Sequence, residues 1–88
     1  MTPSAAFLTG FDALPTGGYG ATAFGSRWRV TKGAFGGARS EKLVAEELGG
    51  DRLYSVILYR LAGGVTMINP GDSAVEDIEA FLGAVEVD

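Results

Sequence analysis

The stretch Ser40-Glu41-Lys42-Leu43-Val44-Ala45-Glu46-Glu47-Leu48 (40–48) decides the fold. Its residue types are strong helix formers. Ser40 could cap such a helix, and Gly49 could be the glycine just past its end. Yet Leu43, Val44 and Leu48 make a poor helical stripe, whereas Leu43 and Ala45 share one face of a strand. Read as a strand, the stretch turns through Gly49-Gly50-Asp51 into its neighbour, and every strand then pairs with a sequence neighbour. The strand reading is the one adopted here.

Outward from it, Leu53 to Leu61 is the surest strand, with Val56, Ile57, Leu58 and Tyr59 apolar on both faces, which predicts a central position in the sheet. Gly63-Gly64 turns it back into Val65-Thr66-Met67-Ile68, and Asn69-Pro70-Gly71 stops that strand. On the other side, Gly33, Gly36 and Gly37 break the chain. Before them, Arg27 to Lys32 alternates, with Trp28 and Val30 on one face and Arg27, Arg29 and Thr31 on the other. Gly25-Ser26 is the expected hairpin turn to a strand over 19–24. At the start, Thr2 as cap and Pro3 in the first turn predict a helix over about 3–13, carrying Phe7, Leu8, Phe11 and Leu14 and weakened by Gly10. At the end, Val75, Ile78, Leu82 and Val85, with Phe81 beside them, predict an amphipathic helix opened by a Ser73–Glu76 capping box. The expected fold is therefore α+β: a single domain over 1–88, with an antiparallel β-meander of four to five strands, a short N-terminal helix and a C-terminal amphipathic helix packed on one face.

Composition narrows the function. The chain has 88 residues, 47% of them apolar, and neither cysteine nor histidine. There is thus no disulfide, no thiol nucleophile and no Ser–His couple, and no zinc–thiolate site. Gly18-Tyr19-Gly20-Ala21-Thr22-Ala23 matches G-x-G-x-x-A, but a Pro-Gly loop precedes it and strand alternation follows, so the dinucleotide reading fails. Adjacent carboxylates such as Glu46–Glu47 lack the cleft that would push their pKa values apart. The expectation is a protein that is not an enzyme, with no cofactor and no metal. Its apolar stretches are too short for a membrane span, and with no basic segment before the apolar residues 5–8, the cytoplasm is the expected compartment.

Charge is segregated within the net −4. Residues 1–44 hold five bases (Arg27, Arg29, Lys32, Arg39, Lys42) against two acids (Asp12, Glu41). Residues 45–88 hold nine acids against Arg52 and Arg60, and from Asp72 onward there are six acids and no base. Glu76 and Asp77, with Asp72 before them, suit the positive end of the last helix. Glu76, Glu79 and Glu86 fall at i, i+3, i+10, which predicts an acidic row opposite the apolar stripe. Carboxylates one turn apart, about 5 Å, approximate the spacing of phosphates along a nucleic-acid strand. Glu46, Glu47 and Asp51 are expected to extend the row. The candidate partner-binding set is therefore Glu46, Glu47, Asp51, Asp72, Glu76, Asp77, Glu79 and Glu86. The alternatives are a nucleic-acid module built on the basic strand 27–32 through Arg27, Arg29 and Lys32, and an oligomeric structural component using an uncovered sheet face. Trp28, opposite Arg27 and Arg29, is expected in the core rather than on a base.

The segments Arg39-Ser40-Glu41-Lys42-Leu43-Val44-Ala45-Glu46-Glu47-Leu48-Gly49-Gly50 and Ile57-Leu58-Tyr59-Arg60-Leu61 look like parts of small proteins on bacterial and phage genomes. The whole chain resembles phage-borne anti-CRISPR inhibitors in being short, acidic and without catalytic motifs. That resemblance implies a DNA mimic in the bacterial host. Its partner would be a protein with a basic nucleic-acid-binding surface, such as a Cas subunit of a type I surveillance complex. The expectation is also of no membrane association, from the short apolar stretches, and of a monomer, with a dimer as the alternative.

Overall fold

The computed structural model describes residues 1–36 and 39–88. The break expected at Gly37 lies outside them. Helix α1 (Ala5–Ala13) is followed by strands β1 (Gly17–Ala23), β2 (Ser26–Ala34), β3 (Ser40–Leu48), β4 (Leu53–Arg60) and β5 (Thr66–Asn69), then helix α2 (Val75–Ala84) and the two-residue strand β6 (Glu86–Val87). The sheet is antiparallel in the order β5-β4-β3-β2-β1-β6. The meander is as expected, and 40–48 is a strand. Six strands replace the expected four to five because the chain after α2 returns to pair Val87 with Ala21 and Glu86 with Thr22.

Both helices cover one face of the sheet. Phe7, Phe11, Leu14, Ile78, Phe81 and Leu82 bury against Ala21, Ala23, Trp28, Val30, Leu43, Ala45, Val56, Leu58 and Ile68. These strand residues follow the two-residue alternation of each strand, so one parity faces the helices and the other faces solvent. The open face carries Arg27, Arg29, Thr31, Lys42, Val44, Glu46 and Ile57, with Leu48 and Leu53 half exposed. Gly10 lets α1 approach α2: a Cβ there would lie 2.8 Å from Leu82 Cβ. The glycine that weakens α1 as an isolated helix is thus what allows the two helices to pack.

Four local expectations are corrected. The N-cap of α1 is Ser4, whose Oγ accepts from the Phe7 N–H at 3.0 Å. Pro3 therefore precedes the helix, and Thr2 turns its hydroxyl to Met67 Sδ. The β1–β2 turn is Phe24-Gly25 rather than Gly25-Ser26, because Ser26 pairs with Ala23. Both turn residues have positive φ (54° and 74°), the conformation whose twist matches a tight hairpin. The Phe24 ring leans on Phe81, with centroids 6.5 Å apart, which helps hold a bulky residue in that region. Ser73 does not cap α2. The N-cap is Ala74, with no side-chain bond, and Ser73 Oγ instead accepts from the Ser55 N–H at 3.2 Å. Since β5 ends opposite Ile57, that N–H has no strand partner, and Ser73 supplies one. Finally, α2 stops at Ala84, so Glu86 lies on β6 and the helical row Glu76–Glu79–Glu86 does not form.

No helix among the described residues is long and apolar enough to cross a membrane.

Candidate functional site

The strand parity that builds the core also sorts the charges. Lys32 shares its side with Trp28 and Val30, so its ammonium enters the helix layer with only 5% of its side chain exposed. There Nζ donates to the Phe11 carbonyl at 2.6 Å and the Leu14 carbonyl at 2.8 Å, closing the C-terminal end of α1. Glu41 Oε2 is 4.0 Å away, and the Phe11 ring centroid lies 4.5 Å from Nζ. Burial lowers the Lys32 pKa, partly opposed by Glu41 and Asp12. Arg60 bonds Asp12 at 2.6 Å and Glu41 at 3.0 Å, tying α1 to β3 and β4. Lys32 is therefore a structural cap. The basic-strand site of Arg27, Arg29 and Lys32 does not form, because Lys32 faces away from the other two and Arg27 is paired with Asp88.

Glu47 has the same parity as Leu43 and Ala45 and turns inward, its side chain 10% exposed. Its carboxylate takes a two-pronged grip from Arg52, with Nη2 to Oε2 at 2.8 Å and Nε to Oε1 at 3.1 Å, and Oε1 also accepts from the Arg52 N–H. The guanidinium in turn lies 5.2 Å from the ring centres of Phe24 and Trp28. The Arg52 hydrogen bond, helped by Ser26, holds the Glu47 carboxyl at about 2, well below the usual range. Its folded pKa is thus below the unfolded one. The stability it contributes is complete above the unfolded value near 4.5 and is lost as pH falls towards 2. Glu47→Gln should flatten that part of the acid-unfolding profile, as urea midpoints measured at pH 2, 3, 4 and 6 would show. A variant that keeps the wild-type slope would place the acid sensitivity elsewhere.

The eight candidate acids therefore divide. Glu47 is neutralised inside the fold. Glu46 and Glu86 lie on the open face, Glu46 opposite Arg29 in register. Asp51 stands exposed at the β3–β4 turn. Asp72, Glu76 and Asp77 come together at the start of α2, all exposed. Glu79, one turn on, is half-buried and accepts from the Ser4 hydroxyl. No cation lies within 4.0 Å of Asp72, Glu76, Asp77 or Glu79 among the described residues. The more buried acids Glu41 and Glu47, and the exposed Asp12, are matched to Arg52, Arg60 or Lys32. What remains without an ion pair is a short patch on the helix layer, with Glu46, Asp51 and Glu86 lying apart from it, rather than a continuous stripe. Sequence reading missed the neutralising roles of Arg52 and Arg60. The available signal was the parity of Glu47 with Leu43 and Ala45.

Among the described residues, no three of the side chains that could hold a metal ion come together. Comparison with family models, with curated proteins and with solved structures finds no match to this chain.

Proposed function

We propose that this protein is a non-enzymatic inhibitor of the anti-CRISPR kind. It docks the outer surface at the start of α2 on the basic nucleic-acid-binding surface of a protein partner, such as a type I surveillance complex. The observation that carries the reading is the placing of charge: Glu41 and Glu47 are matched by cations, while Asp72, Glu76 and Asp77 sit together at the start of α2, exposed and with no cation within 4.0 Å among the described residues. An unmatched acidic patch steers a protein towards a basic groove and competes there with phosphates, in a salt-dependent manner. The division of the acids also reduces the surface invoked, since Glu46 and Glu86 face the other way and Glu47 is occupied.

The test compares two charge-reversed variants in a DNA-binding assay of a type I surveillance complex. Asp72→Lys/Glu76→Lys/Asp77→Lys should weaken inhibition by about a hundredfold or more, given the cost of placing like charges against a basic surface. Glu46→Lys/Glu86→Lys should inhibit as wild type does. Reversal near the helix start costs roughly 0.3–1 kcal/mol per residue in lost dipole stabilisation, so the triple variant remains folded. Equal inhibition by the triple variant and wild type, or no inhibition by wild type, would reject the reading.

A further inference from the structure

The edge of the sheet at β1 holds a half-filled strand slot. β6 pairs with β1 at Ala21 and Thr22, and the Asp88 N–H donates to the Gly20 carbonyl at 3.2 Å. Gly20 thus turns its peptide groups outward. In a strand these directions alternate, so the N–H and carbonyl of Gly18 face the same edge. No backbone group among the described residues meets them there. Gly17 and Gly18 are exposed, so the slot is open to solvent, and neither has a side chain to obstruct it.

The filled and empty halves repeat the same side-chain geometry. Arg27 reaches from β2 over Gly20, where a Cβ would lie 3.2 Å from its Nη2 and 2.8 Å from Asp88 Oδ2. Asp88, in register with Gly20, clasps that guanidinium, with Nη1 to Oδ1 at 2.9 Å. Two residues along, Arg29 reaches over Gly18, where a Cβ would lie 3.5 Å from its Nη2. Arg29 has no ion-pair partner within 4.0 Å among the described residues, although Glu46 is its neighbour on β3. The unit Gly20–Arg27–carboxylate is complete. The unit Gly18–Arg29 lacks its carboxylate.

We infer that the β1 edge receives an extended acidic segment of a partner protein. The segment adds as an antiparallel strand beside Gly17–Gly20 and places a carboxylate in register with Gly18, where Arg29 binds it. Main-chain hydrogen bonds to Gly18 supply affinity, and Arg29 selects the acidic side chain. β6 is the chain's own example of the ligand. This site is separate from the acidic patch on α2 and takes a partner of opposite charge, so the two readings stand or fall independently.

The experiment is a titration of the ¹⁵N-labelled full chain with the synthetic peptide acetyl-Thr-Val-Asp-Val-Thr-amide, followed by amide chemical shifts. The Gly18 amide should shift on titration. Replacing the peptide's Asp by Lys, or making Arg29→Ala, should each weaken binding about tenfold, as loss of one charge-assisted hydrogen bond implies. Arg29→Glu should reverse the preference, favouring the Lys peptide. Because Arg29 is exposed, these variants fold. Shifts that avoid Gly18, or a preference that Arg29→Glu leaves unreversed, would overturn the proposal. So would sedimentation of the protein alone as a dimer with the Gly18 amide already protected from exchange, since a second copy would then occupy the slot.

Discussion

Lys32→Met is expected to lower the stability of the protein by about 3 kcal/mol, on the order expected when a charge-assisted hydrogen bond is lost and a buried carbonyl is left bare. Met retains an apolar stem beside Phe11, so the loss isolates the ammonium. The Phe11 carbonyl would keep the Leu14 N–H at 3.2 Å, but the Leu14 carbonyl would have no donor left among the described residues. Burying an ion pair is often no better than burying hydrocarbon. That argument does not rescue Met here, because the groups left behind are backbone carbonyls and Glu41, none of which the substitution removes. For a domain of this size the melting temperature should fall by roughly 10–20 °C. Urea unfolding of the two proteins decides it, and a change under about 0.5 kcal/mol, the scale of an ordinary surface substitution, would show that α1 does not depend on Lys32.

The same substitution carries a pH signature. Burial depresses the folded-state pKa of Lys32 below its unfolded value of 10.5. Between the two values the unfolded chain binds more protons, so this group makes stability rise with pH. The cost of burying the charge is complete below the folded value and lifts as pH approaches 10.5. Tyr19 opposes this near its own titration, since burial raises its pKa. The quantity to measure is therefore the difference between wild type and Lys32→Met, which should widen on the alkaline side.

How far the sequence could be read follows from how local each determinant is. The alternation in β2 and the apolar run in β4 are local patterns, and both strands form where those patterns lie. β3 is different: Glu41, Lys42, Glu46 and Glu47 favour a helix, and the pairing of β3 with β2 and β4 on both sides overrides that preference. Phe24 could not be recognised as a turn residue, because nothing in its side chain favours positive φ. Its place depends on Phe81, fifty-seven residues later. Ser73 looks like a cap by spacing, yet its hydroxyl is claimed by Ser55 because β5 is short, a fact of the sheet rather than of the helix. The candidate acids failed as one row for a related reason. Spacing along a presumed helix joined Glu79 to Glu86, while the chain leaves the helix at Val85 to reach β1. Lys32 and Glu47 were legible by parity alone, each sharing a face with core residues. Their charge argued for solvent, and the partners that allow burial lie outside their own strands: the end of α1 for Lys32, and Arg52 across the β3–β4 turn for Glu47.

Trp28→Ala should cost about 3–5 kcal/mol, the range for deleting a large buried aromatic. That is a large share of the roughly 5–15 kcal/mol available to a domain. Trp28 is fully buried. Its ring stacks on Tyr54 at 5.5 Å and meets Phe81 of α2 at 4.8 Å, and the Arg52 guanidinium lies against it. Its indole N–H donates to the Ala23 carbonyl at 2.9 Å, fixing the β1–β2 turn. Deletion would therefore open a cavity, loosen α2 and free Arg52 from the stack that orients it towards Glu47. Trp28→Phe restores most of the volume but leaves the Ala23 carbonyl without its donor, so it should cost less, about 1–3 kcal/mol. The order Ala greater than Phe, read from denaturation followed by circular dichroism, is the expected result. Trp28 is the chain's single tryptophan, so its emission gives a second measure. In the native protein it should resist quenching by acrylamide. Ready quenching, or a Trp28→Ala variant as stable as wild type, would mean that the indole lies at the surface, and the basic strand would regain its claim as a base-stacking platform.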